Sequence, residues 1–333
     1  MSRLRPRPVS NDPRPLWKRL LYRRLKFIGS IVGVLALAFA FAYLFEPQWL
    51  LRMDMMRKAM AANLDTHSIE AGDTKWSYYE GGNGPTLVLL HGFAANKDVW
   101  LDSAKELTKN FHVIAPDLPG WGDSSRVEGG RYDVDSQVAR LDVFFDRMGL
   151  RGFTLVGHSM GGAIAGAYTA DHPGRVSNLV LMDALGLTFK PNDFSKAALN
   201  GKDPFVFDDR AGFEAMLKLV FLHPPKVPGR IADAFVQQNK DNRAFIDRTF
   251  EELKPESQSL ALDSRLSKLT VPVLGLWCHE DKVIDISALD TLRNGLTNAK
   301  AISSTILSDC NHMPQIEKAD DFAKVITGFV MAH

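Results

Sequence analysis

The chain has 333 residues, 45% hydrophobic and 24% charged, which allows one large domain or two small ones and excludes disordered, collagenous and low-complexity classes. Two cysteines are too few for a disulfide scaffold or a cysteine-based zinc module. The formal net charge of +1 is unevenly spread: residues 1–26 hold nine Lys and Arg against the single acid Asp12, a net +8 that leaves −7 on the remainder.

A basic arm (1–26) on a mildly acidic body is not the footprint of a nucleic-acid-binding domain, so no nucleic-acid partner is expected. Residues 27–45 contain no charge, and these 19 residues would span about 28 Å as a helix, close to one bilayer core. Basic residues before such a stretch keep that side in the cytoplasm. The segment therefore reads as one transmembrane signal-anchor with a cytoplasmic N-terminus, placing the rest of the chain on the opposite, extracytoplasmic side. Tyr43 and Trp49 stand where an interfacial aromatic belt would be. Three readings weigh less. A cleaved signal peptide has A-x-A-like sites at Ala38-Phe39-Ala40 and Ala40-Phe41-Ala42, but its n-region is long and the apolar run continues past both. A twin-arginine signal at Arg23-Arg24 is poorly continued by Leu25-Lys26-Phe27. The third is a buried core helix. Residues 46–73 read as a juxtamembrane helix and linker. Within them Met53, Met56, Met60 and Leu64 recur at helical spacing, a stripe expected to pack on its own domain, with the membrane surface as the alternative.

A domain is expected over 74–333. Strand candidates are 75–80, 86–90, 112–115, 153–157, 176–182, 271–277 and 301–307. Several are unbroken apolar runs, as a parallel sheet buried on both faces requires. Helix candidates at 135–148, 160–172, 286–297 and 315–331 alternate with them, which predicts a doubly wound, mostly parallel α/β sheet. Residues 186–268 break the alternation: they are helical in pattern, interrupted by prolines, and nine of the twenty phenylalanines fall between Phe189 and Phe250. This stretch reads as an inserted helical lid.

The strongest chemical signal is Gly157-His158-Ser159-Met160-Gly161-Gly162, which follows a buried strand and opens a helix of small residues. In that context G-x-S-x-G is a nucleophile elbow: Gly157 and Gly161 leave room for a tight turn that presents Ser159 at the positive end of the helix. A serine needs a base and an oriented acid. Asp281 lies beyond the strand ending near Trp277, and His312 lies in the loop after 301–307, giving the chain order Ser, Asp, His. Asp183, at the end of the strand after the elbow, is the minor candidate for the acid. His279 comes too early to be the base. His91-Gly92-Phe93 ends an early strand, so the N–H groups of Phe93 and Met160 are the expected oxyanion donors. The turn-rich loop Asp117–Ser124 is expected to be structural, with Trp121 able to line the pocket.

These motifs, H-G-F, D-x-P-G-x-G-x-S, G-H-S-M-G-G, W-x-x-x-D-x-V and N-H-x-P-x-x-E in that order, resemble the α/β-hydrolase superfamily from about residue 74 to the end. More narrowly, the anchor, the stretch His91–Trp100 and the stretch Asp281–Asp290 look like the membrane-anchored monoacylglycerol lipase branch and related bacterial lipases. The resemblance implies the α/β-hydrolase fold and ester hydrolysis of lipid-like substrates through Ser159, Asp281 and His312, with no metal or organic cofactor. A ring-fission dienoate C–C hydrolase and a non-catalytic binding protein of the same fold are the alternatives. Cys278 and Asn311 stand where relatives often have glycine. Adjacent strands lie about 4.8 Å apart, so Cys278 and Cys310 could be bridged, clamping the acid and base loops, or could be two buried free thiols.

Overall fold

The computed structural model describes residues 15–45 and 47–333; Arg3, Arg5, Arg7, Asp12 and Arg14 of the basic arm lie outside the described residues. Two units are described separately, residues 1–51 and 52–333. In the first, helix α1 (Leu16–Phe45) starts well before the uncharged stretch, so Lys18, Arg19, Arg23, Arg24 and Lys26 are helical rather than part of an extended arm. Leu20, Leu21 and Leu25 are good helix formers among those cations, and the carbonyl of Pro15 accepts from Lys18 N–H at 2.9 Å to open the first turn. The span Trp17–Phe41 is long and apolar enough to cross a membrane, and fits a single transmembrane helix.

Helix α2 (Pro47–Ala61) runs into the second unit. The methionine stripe does not pack on that domain: Met53, Met56 and Met60 are 49%, 64% and 73% exposed. The helix seats itself instead through Met55, Ala59 and the following Ala62, and through Lys58 Nζ to Asp102 at 2.7 Å. Leu64, the last member of the stripe, is buried because it begins strand β1 (Leu64–Ala71). This strand occupies part of the stretch expected to be linker. It pairs antiparallel with β2 (Thr74–Gly81) across a two-residue turn opened by Gly72 at φ +64, the left-handed conformation that glycine adopts without cost.

The remaining strands are β3 (Thr86–Leu90), β4 (His112–Pro116), β5 (Phe153–His158), β6 (Val176–Met182), β7 (Pro272–Cys278) and β8 (Ala301–Leu307). The sheet order is β1-β2-β4-β3-β5-β6-β7-β8, antiparallel at β1–β2 and β2–β4 and parallel elsewhere. Strands β5 and β7 are buried at every residue, whereas the edge strand β8 turns Ile302, Ser304 and Ile306 to the outside. Of the connecting helices, α3 (Leu101–Leu107) covers one face together with the C-terminal helix, and α4 (Val134–Arg147) with α5 (Met160–Asp171) covers the other. The lid inserted between β6 and β7 comprises α6 (Asp193–Leu199), α7 (Arg210–Val220), α8 (Gly229–Leu253) and α9 (Glu256–Ser259). Helix α10 (Ala288–Gly295) precedes β8, and the expected last helix is broken at Lys318 into α11 (Pro314–Glu317) and α12 (Ala319–Ala332). Phe207, Phe213 and Phe235 form the lid's own small core, while Phe189, Phe194, Phe205, Phe221 and Phe245 pack toward the main core.

Candidate active site

The loops after β3, β5, β6, β7 and β8 carry Phe93, Ser159, Asp183, Asp281 and His312. All five strands are parallel neighbours, so these residues share the carboxyl end of the sheet, where open α/β sheets build sites.

Ser159 sits between β5 and α5 with φ 52° and ψ −120°, a conformation strained for a side chain with a Cβ and costing about 1–3 kcal/mol. The surroundings enforce it. Its N–H donates to Met182 C=O at 3.0 Å, and its carbonyl accepts from Gly162, Ala163 and Leu185 at 2.8, 3.2 and 3.0 Å. A Cβ on Gly157 would lie 2.2 Å from Gly161 O, and one on Gly161 would lie 2.4 Å from Leu90 O. Both contacts are with backbone, so the turn closes only with glycine at each position. A Cβ on Gly92 would come within 3.0 Å of Ser159 Cβ, which makes this third glycine part of the same close approach.

On the acid–base side, His312 Nδ1–H donates to Asp281 Oδ2 at 2.9 Å, and both side chains are buried. The other carboxylate oxygen of Asp281 accepts the N–H groups of Val283 and Ile284 at 2.7 and 3.0 Å. The His312 ring lies 4.8 Å from the ring of His158, whose Nε2–H donates to His312 C=O at 2.7 Å. His158, the residue preceding Ser159, thus ties the loop carrying His312 to the turn at Ser159. Burial, reinforced by His312, holds the pKa of His158 well below the usual histidine value, so the ring is neutral. Among the described residues the Ser159 hydroxyl makes no hydrogen bond. His279, set aside as a base, is exposed beside Glu280.

The loop after β3 explains a residue the motif did not single out. His91 Nδ1–H donates to Gly92 C=O at 2.8 Å, and its Nε2 accepts from Leu118 N–H at 2.9 Å. A trans peptide points its C=O and N–H in opposite directions. By holding the Gly92 carbonyl, His91 therefore aims the Phe93 N–H the other way. Met160 is the first residue of α5, so its N–H precedes the intrahelical ladder. The loop Asp117–Ser124 is held internally: Asp117 accepts Lys97 Nζ at 2.6 Å, Lys97 N–H at 2.7 Å and Asp123 N–H at 2.8 Å. Trp121 packs edge-on against Phe93 at 5.2 Å, and the lid residues Phe205 and Phe250 reach the same ring at 5.5 and 5.9 Å.

Cys278 and Cys310 are joined in a disulfide with a Cα–Cα distance of 5.4 Å, so the free-thiol alternative falls. The bond staples the loop carrying Asp281 to the loop carrying His312. Asn311 adds a second tie: its Oδ1 accepts Lys282 N–H at 2.8 Å and its Nδ2–H donates to Leu219 C=O, also at 2.8 Å. His312 N–H donates to Val220 C=O at 3.0 Å, and Glu317 accepts the N–H groups of Leu222 and Asn311, each at 2.8 Å. The carboxyl end of lid helix α7 is therefore bonded directly to the base loop. Ser159 is 9% and His312 3% exposed. Among the described residues no three His, Cys, Asp or Glu side chains converge to hold a metal ion.

Comparison with known proteins fits this geometry. Residues 85–319 match the α/β hydrolase fold family. A monoacylglycerol lipase of Xenopus laevis is 30% identical over 315 residues, covering 91% of this chain and 93% of that protein. A lipase of Moraxella sp. is 30% identical over 270 residues, covering 79% of this chain and 82% of its own length. The crystal structure of a bacterial membrane phospholipase A superposes with a TM-score of 0.82 at 34% identity, covering 92% of this chain and 98% of that one. The chain belongs to the α/β-hydrolase fold family, as a hydrolase of the lipase/esterase type.

Proposed function

We propose that the protein hydrolyses carboxylic esters of lipophilic acyl chains, monoacylglycerol-like in form, with Ser159 as nucleophile, His312 as base and Asp281 as the acid that orients it. The observation carrying this reading is the strained Ser159 at the amino end of α5, on the same sheet edge as the bonded pair His312–Asp281. Ser159 Oγ attacks the ester carbonyl as His312 Nε2 takes its proton. Asp281 holds the Nδ1 proton and stabilises the imidazolium. The N–H groups of Phe93 and Met160 bind the tetrahedral oxyanion, each worth about 3 kcal/mol in the transition state. His312 then protonates the leaving alcohol and activates the water that releases the acid.

A lipophilic acyl chain is supported by the aromatic wall formed at Phe93 by Trp121, Phe205 and Phe250. It is also supported by the names of the relatives and by a helix able to span a bilayer. The catalytic domain is proposed to lie on the extracytoplasmic side, in agreement with the basic N-terminal flank and with a disulfide that persists in oxidising compartments. The outward methionines of α2 fit contact with the membrane surface.

The test is fluorophosphonate labelling of wild type and Ser159→Ala, with a panel of p-nitrophenyl and monoacylglycerol esters of rising chain length. Labelling that vanishes in the variant, with turnover rising toward longer chains, supports the proposal. A folded wild type that resists labelling sinks the triad reading, and a preference for acetate sinks the lipophilic substrate.

A further inference from the structure

Asp183 follows β6 directly and is wholly buried, with a backbone φ of +43°. Its N–H donates to Leu276 C=O at 3.0 Å, which fixes it against β7. One of its carboxyl oxygens, Oδ1, accepts Cys278 N–H at 2.9 Å, and Oδ2 has no partner among the described N–H and O–H donors. Asp281 brackets the same residue, since its N–H donates to Cys278 C=O at 3.3 Å. Asp183 and Asp281 thus both bond to the backbone of Cys278, and their side chains lie within hydrogen-bonding reach of each other.

Adjacent buried carboxyl groups are relieved when one keeps a proton and donates it to the other. Asp281 accepts two backbone N–H groups and the His312 N–H. These occupy three of about four acceptor positions on a carboxylate. Asp183 has one donor for two oxygens. A proton on Asp183 Oδ2 would therefore satisfy both the unpartnered atom and the open acceptor position on Asp281.

We propose that Asp183 is a positioning residue for the triad, a neutral carboxylic acid whose O–H donates to the Asp281 carboxylate and holds it in register with His312. The inference rests on the triad assignment above. Burial first, and the Asp281 carboxylate second, push the pKa of Asp183 well above the usual carboxylate range. The titratable groups acting on it are Asp281, from the loop after β7, and Glu317, from α11, both acids that favour the neutral form; Cys278 N–H opposes them. No proton is transferred during turnover, because Asp183 donates a hydrogen bond throughout.

The experiment compares wild type, Asp183→Asn and Asp183→Ala in the full-length protein. Asparagine keeps an N–H donor for Asp281 and an oxygen for Cys278 N–H, and tolerates the positive φ. Its kcat should stay within about threefold of wild type. Alanine removes both functions, and kcat should fall about tenfold or more with KM within about twofold, since substrate does not touch this position. A buried acid that stays neutral contributes fully to stability below its unfolded-state pKa, and that contribution is lost as pH rises toward the folded-state value. Asparagine has no proton to lose, so its Tm should gain on wild type steadily from about pH 5 to about pH 8.

A tenfold loss in Asp183→Asn, a Tm difference flat with pH, or unchanged kcat in a folded Asp183→Ala would each overturn the assignment. If Asp183→Ala does not fold, the asparagine variant alone decides by the same two readouts. Fluorophosphonate labelling of Ser159 in wild type reports separately on the parent reading: an unlabelled wild type removes both proposals, whereas a labelled one with the contrary Asp183 results removes this one only.

Discussion

The proposed nucleophile side and the proposed acid–base side of this site are built by opposite means. Around Ser159 the work is done by missing side chains: Gly157 and Gly161 let backbone approach closer than a Cβ permits, and Gly92 leaves room for the Ser159 and His158 side chains. Around Asp281 and His312 it is done by added ones: a disulfide, the Asn311 amide, the Glu317 carboxylate and Asp183 fasten two loops and the lid together. The first construction fails abruptly, because backbone cannot step aside. The second is shared among several bonds and should weaken by degrees.

The largest effect that tests this contrast comes from the one side chain on the acid–base side with no substitute. Asp281→Asn keeps the shape but can present its amide N–H to His312 and favour the wrong tautomer. Steady-state kinetics should show kcat lower by about 10⁴-fold with the fold intact. A loss below about tenfold would mean that another carboxyl orients the base.

Gly161→Ala addresses the opposite side. The new Cβ would lie 2.4 Å from Leu90 O and 2.5 Å from His91 O, so the elbow or the oxyanion loop must move. A displacement near 1 Å at the nucleophile costs about 100-fold, and overpacking of this kind destabilises by about 1–3 kcal/mol. Thermal melts and ester turnover measured together should show both losses. Full activity in the variant would contradict a turn closed by backbone contact.

These two constructions were unequally legible in the sequence. The elbow could be read because its parts are consecutive and each glycine answers a local steric demand. The parallel strands could be read because burial on both faces leaves an unbroken apolar run. Strand β1 was hidden because this edge strand is exposed along Asp65, Thr66, His67 and Ser68 and again at Glu70, so its polar run resembles linker. The methionine stripe misled because an exposed apolar face has the same spacing as a buried one, and Ala59 and Ala62 carry the packing instead. Asp183 and Asn311 were opaque for another reason. Their partners Cys278 and Leu219 lie 95 and 92 residues away along the chain, and only the closed sheet and lid bring them into contact. His91 went unassigned because its side chain acts only indirectly, by turning the Gly92–Phe93 peptide plane.

Removing the disulfide tests whether the acid–base side fails by degrees. Paired Cys278→Ser and Cys310→Ser substitutions open a cross-link spanning 32 residues, which should cost about 3 kcal/mol of stability. Activity should fall only a few-fold at moderate temperature, because Asn311 and the Asp281–His312 bond remain. Reductant should reproduce the effect in wild type and leave the double variant unchanged. Loss of all turnover in a folded double variant would show that the bond positions the triad by itself.

The smallest effect is expected at Asn311→Gly. It removes the side-chain bonds to Lys282 N–H and Leu219 C=O but keeps the backbone bonds of His312 to Val220 and of Asn311 to Glu317. Each lost bond contributes about 1 kcal/mol; one ties the loop carrying His312 to that carrying Asp281, and the other ties it to the end of α7. The change should therefore appear as local opening rather than global instability. Amide exchange over 219–223 should quicken by about tenfold or more while exchange in β5 and α5 stays fixed. If the latch also limits entry beneath the lid, KM for long-chain esters should fall while that for short ones holds. Uniform acceleration of exchange across the sheet would instead make Asn311 an ordinary core residue, and the lid's attachment to the base loop would rest on Glu317 and the backbone bonds alone.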